Sequence, residues 1–319
     1  MRLRTIPTEK YASGVLPVTA SLWAGARDLS TYVRQTNELA RSAYARRNYR
    51  TVGLFDDGDW LASCKRYERT IRFDAKRLRA VGFGAVFTPR ALRGHGYATT
   101  MLAMLMDEAR ERGLDLAYLF SDIHPAFYAA LGFKECPSQA FTMASDLLPG
   151  ERMRSRTITN ADWGGVAQCF RMLQSRERWR FERTTAVWDW VRTRIRQRAE
   201  NRAAQMVTLA VRARQRVIAY VIGRRQPAKD VFMLDEIGWS GILGQAVIGP
   251  LLRNAAGDMR RISGWLPPAS ALAPLQKYRT RRRTDAILMM APFTTEGRRL
   301  VAAASSDSAK DAVWSTDHI

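Results

Sequence analysis

Residues 88–100 read TPRALRGHGYATT and gather an arginine and two glycines where an apolar run gives way to a helical pattern. The run before them, AVGFGAVF (80–87), predicts a central strand buried on both faces. After them, Ala98, Met101, Leu102, Leu105, Met106 and Ala109 recur at helical spacing, with Asp107, Glu108, Arg110 and Glu111 turned to solvent and Gly113 as the stop. A strand–glycine turn–helix of this kind aims the free N–H groups of the helix's first turn, and the positive end of its dipole, at one spot. Gly94 and Gly96 let a phosphate approach the backbone, Ala98 stays small for the same reason, and Arg93 adds a charged donor. No lysine follows the glycines, which excludes a Walker loop. GHGYAT supplies only the first two glycines of a dinucleotide fingerprint.

Preceded by Pro89, the frame Arg93-Gly94-His95-Gly96-Tyr97-Ala98 resembles the pyrophosphate loop of the GCN5-related N-acetyltransferases (GNAT), Gln/Arg-x-x-Gly-x-Gly/Ala, matching at Arg93, Gly96 and Ala98. The resemblance implies acetyl-CoA as co-substrate. Its pyrophosphate would lie on Arg93, Gly94, His95, Gly96, Tyr97, Ala98 and Thr99, and its pantetheine arm on the backbone of Ala85, Val86 and Phe87, beside a splayed neighbouring strand. A second match follows: SDIHPAFYAALGFKEC (121–136) resembles the family's Phe-Tyr-x-x-Leu-Gly-Phe helix, whose tyrosine lies near the thioester sulfur. A thiolate leaving under attack by an amine needs a proton donor, and the resemblance gives that role to Tyr128. Ser121 and Asp122 end the strand where the family places further cofactor and substrate contacts. Family members take the amine's proton with Glu, Asp or ordered water; Glu68 and Asp122 are the candidates here. His95 occupies a variable position facing phosphate or solvent, and His124 reads as structural.

These residues need elements to hold them. The first half predicts a helix over 27–47, strands at TVGLFDD and DWLASCKRYERTIRF, a strand LDLAYLF, and a short helix PAFYAAL. PGERMRSRTITNADWG (149–164) reads as a boundary. Beyond it come helices over 165–200, strands MVTLAVR, VIAYVIG and DVFMLDEIG, a helix over 242–256, then strands RISGWLP and AILMMAPF. The expected fold is mixed α/β (α+β): a GNAT domain over 1–150 with a mixed central sheet flanked by helices, and a degenerate GNAT-like domain over 151–319 that completes the substrate cleft. At the second domain's turn the chain reads WSGILGQAV, with no arginine and different glycine spacing. Such a tandem resembles the mycobacterial enhanced-intracellular-survival acetyltransferases, less their further sterol-carrier-like domain.

The 319 residues carry 51 basic and 30 acidic side chains, a net charge of +21, of which +6 falls in residues 1–150 and +15 in the remainder. The charge permits an acidic partner but reads more simply as arginine-rich solvated faces. In RERWRFERTTAVWDWVRTRIRQR (176–198) aromatic rings interleave with arginines, a pattern single-stranded nucleic acid uses; helical spacing of Phe181, Val187, Trp188, Val191 and Ile195 favours a core face instead. Cys64, Cys136 and Cys169 are too far apart for a disulfide framework or a metal site, so no metal is expected and a reducing cytoplasm is. The uncharged stretch 11–26 is broken by Ser13, Gly14 and Pro17 and reads as folded structure, and no run is long enough to span a membrane. Asp235-Glu236 could help an anionic pocket for a cationic amine, and the tail VWSTDHI could supply a base. The expected activity is transfer of an acetyl group to a primary amine of a small molecule or protein. The alternative is a catalytically inactive acyl-CoA-binding or nucleic-acid-associated protein.

Overall fold

The computed structural model describes residues 1–150, 153–200, 204–306 and 308–318. They form two compact units, the first from residues 1–136, 181–197 and 285–309, the second from 137–180, 198–284 and 310–319.

The first unit is built on the sheet order β1-β2-β3-β4-β5-β15-β6. Its strands are β1 (Arg2–Thr5), β2 (Tyr49–Asp56), β3 (Asp59–Phe73), β4 (Lys76–Phe87), β5 (Leu116–Ser121), β6 (Lys134–Glu135) and β15 (Ile287–Pro292). Strands β2, β3 and β4 run antiparallel, β4 and β5 parallel, and β15 antiparallel to β5. Helix α5 (Tyr97–Glu111) makes the β4–β5 crossover and buries Met101, Leu102, Leu105, Met106 and Ala109 among Val81, Phe83, Ala117, Leu119 and Met289. Each of its methionine and leucine side chains taken from water is worth about 1.5–3 kcal/mol. A second apolar cluster holds α1 (Thr8–Gly14), α2 (Leu16–Trp23) and α3 (Leu29–Ala40) together through Tyr11, Leu16 and Tyr32, with Phe55 and Trp60 packed on it. Most of the stretch 11–26 is therefore helical, with residues 24–26 in a turn. The helical period over 27–47 resolves into two helices, because Ser42 stops the first and caps α4 (Ala43–Asn48) by accepting the Ala45 N–H at 3.1 Å. The short α6 (Ala126–Ala129) and α10 (Thr295–Ala304) complete this unit, with most of α8 (Thr185–Ala199).

The second unit has the order β14-β7-β13-β12-β11-β10-β8. Its strands are β7 (Gln139–Ala144), β8 (Arg156–Thr157), β10 (Gln205–Ala213), β11 (Arg216–Gln226), β12 (Val231–Trp239), β13 (Arg261–Trp265) and β14 (Arg279–Arg282); the brief β9 (Trp179–Phe181) precedes α8. Helices α7 (Trp163–Gln174) and α9 (Gly241–Ala256) belong to this unit. The pairing repeats that of the first sheet: β10, β11 and β12 antiparallel, β12 and β13 parallel, β13 and β7 antiparallel.

One expectation is corrected. AILMMAPF, read as the last strand of the second half, is β15 of the first sheet, paired with β5 from Ile287↔Ser121 to Pro292↔Leu116. Reciprocally β7, from before residue 150, pairs in the second sheet. Chain order alone could not reveal this, because an all-apolar strand fits any buried slot of its length. Each folded unit is assembled from segments on both sides of residue 150.

Candidate active site

The parallel ladder between β4 and β5 runs from Ala80↔Leu116 to Phe83↔Leu119. Strand β4 continues to Phe87 alongside β3, where Ser63 pairs with Phe87 and the register slips between Ser63 and Lys65. Within that slip Ala85 holds φ +47, a left-handed conformation that costs a residue with a Cβ about 1–2 kcal/mol. A bulge of this kind bends its strand and re-aims backbone groups. Here it acts on Ala85, Val86 and Phe87, the last residues of a strand whose pairing with β5 has already ended.

The chain then passes Pro89 and a single 3₁₀ turn, Arg90–Leu92, into the glycine turn. Gly94 and Gly96 have φ +86 and +76, and Gly96 is the N-cap of α5. A Cβ added at either would meet no protein atom within 4 Å, so it is the left-handed backbone, not crowding by the fold, that demands glycine. The Gly96 carbonyl receives the Thr100 N–H at 2.9 Å, while helix geometry leaves Tyr97, Ala98 and Thr99 as first-turn donors. No acidic residue lies in that turn. Arg93 is exposed and its Nε donates to the Thr88 carbonyl at 3.3 Å. His95 stacks on Tyr97 with ring centroids 5.7 Å apart, and its Nδ1 lies 3.2 Å from the Arg93 carbonyl.

Tyr128, on α6, is 8% exposed and shares an apolar cluster with Cys64, Phe83, Leu119 and the partly buried Val86. Burial first, then the Asp122 charge and Cys64, pushes its phenol up to about 12. It therefore keeps its proton at neutral pH, the state a proton donor needs. Ser121 is buried and its hydroxyl donates to the Ile123 carbonyl at 2.8 Å, so it shapes the turn after β5. Asp122 is exposed and accepts the Ala286 N–H at 3.0 Å, fixing the approach to β15. His124 caps α6 locally by accepting the Ala126 N–H at 3.3 Å.

Glu68 stands apart from these. It pairs with Arg112, at the C-terminal end of α5, at 2.6 Å, and its ladder partner is Val81, three positions from Gly84 or about 10 Å along the strand. The loop occupies the opposite end of that fifteen-residue helix, a span of about 22 Å. Thus the structure brings Ala85, Val86 and Phe87 to the N-terminus of α5 through the turn 88–96, and gathers Tyr128 with Val86, but sets Glu68 elsewhere.

Two features escaped sequence reading. Lys65 lies opposite Gly84, and its ammonium is lowered to about 8 by burial, with Arg194 and Arg27 adding like charge. Strand alternation, which sets Lys65 on the face of Tyr67 and Arg69, was the available signal. The second is a cleft of about 350 Å³ between α2 and the end of β4. Nothing in the sequence marks it.

In the second unit, Asp235 and Glu236 are buried and engaged. Arg224 grips Asp235 through two N–H···O bonds of 3.0 and 2.9 Å, and the Ser315 hydroxyl donates to it at 3.0 Å. Tyr220 donates its hydroxyl to one Glu236 oxygen at 2.6 Å, and the Thr316 hydroxyl donates to the other. The tail is thus tied to β12; its last residue lies outside the described residues. At WSGILGQAV, Gly244 is required by close approach, since a Cβ there would meet the Ile218 carbonyl at 2.2 Å. The rings of Trp179, Phe181, Trp188 and Trp190 are all buried, so none offers a stacking platform for bases. Among the described residues no helix is long and apolar enough to cross a membrane, and no three or more His, Cys, Asp or Glu gather as a metal site would require. Cys64, Cys136 and Cys169 are buried, and none of them is in a disulfide.

Residues 15–136 match the family model described as an acetyltransferase (GNAT) domain. The chain carries a GNAT domain. Solved structures agree on the fold over most of the molecule. A conserved protein from Enterococcus faecalis V583 superposes with a TM-score of 0.71 at 12% identity, covering 93% of this chain and 73% of that one. A GCN5-related N-acetyltransferase from Anabaena variabilis gives 0.71 at 11%, covering 93% and 74%. Eis1 from Mycobacterium abscessus gives 0.61 at 13%, covering 94% and 75%. No curated protein matches the chain in sequence. The fold class is therefore mixed α/β, two mixed sheets flanked by helices, and acyl transfer is the chemistry that goes with its GNAT domain.

Proposed function

We propose that the protein is an acetyl-CoA-dependent N-acetyltransferase acting on a primary amine. The observation that carries this reading is the continuity of β4 with the turn. A strand that has parted from β5 and bulges at Ala85 leads through two left-handed glycines to the acid-free N-terminus of α5. In this reading the backbone of Ala85, Val86 and Phe87 holds the pantetheine arm. The pyrophosphate takes the N–H groups from Gly94 to Thr99 with Arg93 beside it, a pairing of dipole and guanidinium with an anion. The amine attacks the thioester carbonyl, and Tyr128 gives its proton to the departing sulfur. Asp122 acts on Tyr128 through its charge. The amine's proton leaves through water, since Glu68 is engaged with Arg112. The second unit is a degenerate copy of the same domain, supported by its repeated strand pairing and by a turn whose Gly244 serves helix–sheet contact.

The competing reading, an acyl-CoA binder without turnover, draws on the engagement of both carboxylate candidates, Glu68 and Asp122. Release of free CoA from acetyl-CoA, measured against a panel of amines, separates the two. Amine-dependent release that falls in Tyr128→Phe supports the enzyme. Binding of acetyl-CoA without release for any amine supports the binder.

A further inference from the structure

The cleft beside β4 has a character that bears on the acceptor. Its floor is Trp60 and Phe87, stacked with centroids 5.8 Å apart and planes 24° from parallel. Trp23 meets the other edge of Phe87 at 6.2 Å. One wall is α2, where Val18 and Leu22 lie in the cleft yet remain 53% and 54% exposed. The rim on the loop side is Arg90 and Arg93, and the remaining lining residues, Ser21 and Pro89, are uncharged. Among the described residues no carboxylate lines it. Its volume of about 350 Å³ sits at the lower end of the range of small-molecule sites, roughly 300–1,000 Å³. Phe87 is two residues past the bulge at Ala85, which puts the cleft next to the place assigned above to the thioester arm.

An apolar, ring-lined floor with a cationic rim and no anion repels polycations and favours a flat apolar body that carries negative charge. We propose that this cleft is the acceptor site and that the acceptor is a primary amine bearing an aromatic group and a carboxylate, of which an aromatic α-amino acid is the simplest. The proposal rests on the acetyltransferase reading. The ring lies on Trp60 and Phe87, and Arg90 takes the carboxylate, Arg93 being committed to the pyrophosphate. The amine nitrogen bonds to the acetyl carbon as the carbon–sulfur bond breaks. Sulfur receives the Tyr128 proton, nitrogen loses one to water, and solvent reprotonates the phenolate; an N-acetyl amino acid and CoA result.

The test is calorimetric titration of L-tryptophan and L-phenylalanine into the full-length protein saturated with free CoA, alongside tryptamine, spermidine and an aminoglycoside, with CoA release measured for the same compounds. The amino acids bind; Arg90→Glu weakens them about tenfold or more, the size of a lost charge-assisted hydrogen bond, and leaves CoA affinity unchanged. Leu22→Asp, a change at an exposed position, weakens them as well. Tryptamine binds less tightly than tryptophan and is not weakened by Arg90→Glu, which removes a like charge from beside its ammonium. Failure of both amino acids to bind the CoA-loaded protein overturns the proposal, as does release of CoA with spermidine or the aminoglycoside that neither variant affects. Binding that depends on Arg90 without any turnover upholds the cleft as an amino-acid site and overturns the acetyltransferase reading instead.

Discussion

Lys65 stands opposite Gly84 in the antiparallel ladder of β3 and β4, one residue before the left-handed Ala85. Burial and two nearby arginines, Arg194 and Arg27, lower this lysine to about 8, below its ordinary 10.5. The unfolded chain therefore binds more protons than the folded one between about pH 8 and 10.5, so stability rises with pH through that window, and the full cost is present below it. Lys65→Met should raise the melting temperature at pH 7, and the gain should shrink as pH approaches 10. Melting curves at pH 7, 8.5 and 10 check this; a loss of stability at pH 7 would show that the ammonium has a favourable partner.

Two glycines of similar sequence setting should respond oppositely to substitution. Gly96→Glu puts a side chain on a left-handed N-cap and a negative charge before the donors of α5. CoA affinity should fall about a hundredfold, some 2.7 kcal/mol, with a loss of thermal stability of only about 1–2 kcal/mol. Gly244→Ala drives a methyl into the Ile218 carbonyl and should lower the melting temperature while leaving CoA affinity alone. Titration of CoA into both variants, paired with melting curves, makes the comparison. Equal loss of CoA affinity in both would remove the functional distinction between the two turns.

Tyr128→Phe keeps the ring in its apolar cluster and removes only the phenol. Turnover should fall about 10²–10³-fold with little change in the KM for acetyl-CoA or in melting temperature. Since the phenol is held up to about 12, the wild-type profile should show no descending limb from its ionisation below about pH 11. A rate unchanged in the phenylalanine variant would make this tyrosine a packing residue.

Much of this arrangement was legible in the residues because the responsible forces are local. The bounds of β3 coincide with the stretch of alternating side chains 59–73, and the apolar face of α5 is the one its spacing marks. The frame from Pro89 to Ala98 writes its own turn, since left-handed positions call for glycine. What stayed hidden depends on distant partners. The engagement of Glu68 requires Arg112, 44 residues on, and nothing near Glu68 announces it. The place of β15 depends on a free edge of β5, to which its all-apolar residues carry no address. The cleft joins Leu22, Trp60 and Phe87 from three elements, each of which reads by itself as ordinary core.

The tail's attachment to the second unit gives a last test. Glu236 is fully buried; its carboxylate accepts the Tyr220 hydroxyl at 2.6 Å on one oxygen and the Thr316 hydroxyl on the other. Thr316→Val keeps the shape and takes away that donor beside a buried carboxylate oxygen, a change that costs about 1–3 kcal/mol. The second unit should melt several degrees lower, and Thr316→Ser should restore most of the loss because it restores the hydroxyl. Acetyl-CoA affinity should not move in either variant, since the turn at Arg93–Ala98 lies in the first unit. Differential scanning calorimetry of the three proteins, with CoA titrated into each, decides it: a valine variant as stable as the parent would mean that the tail is held by its apolar contacts, with Trp314 buried at 2% exposure as the anchor.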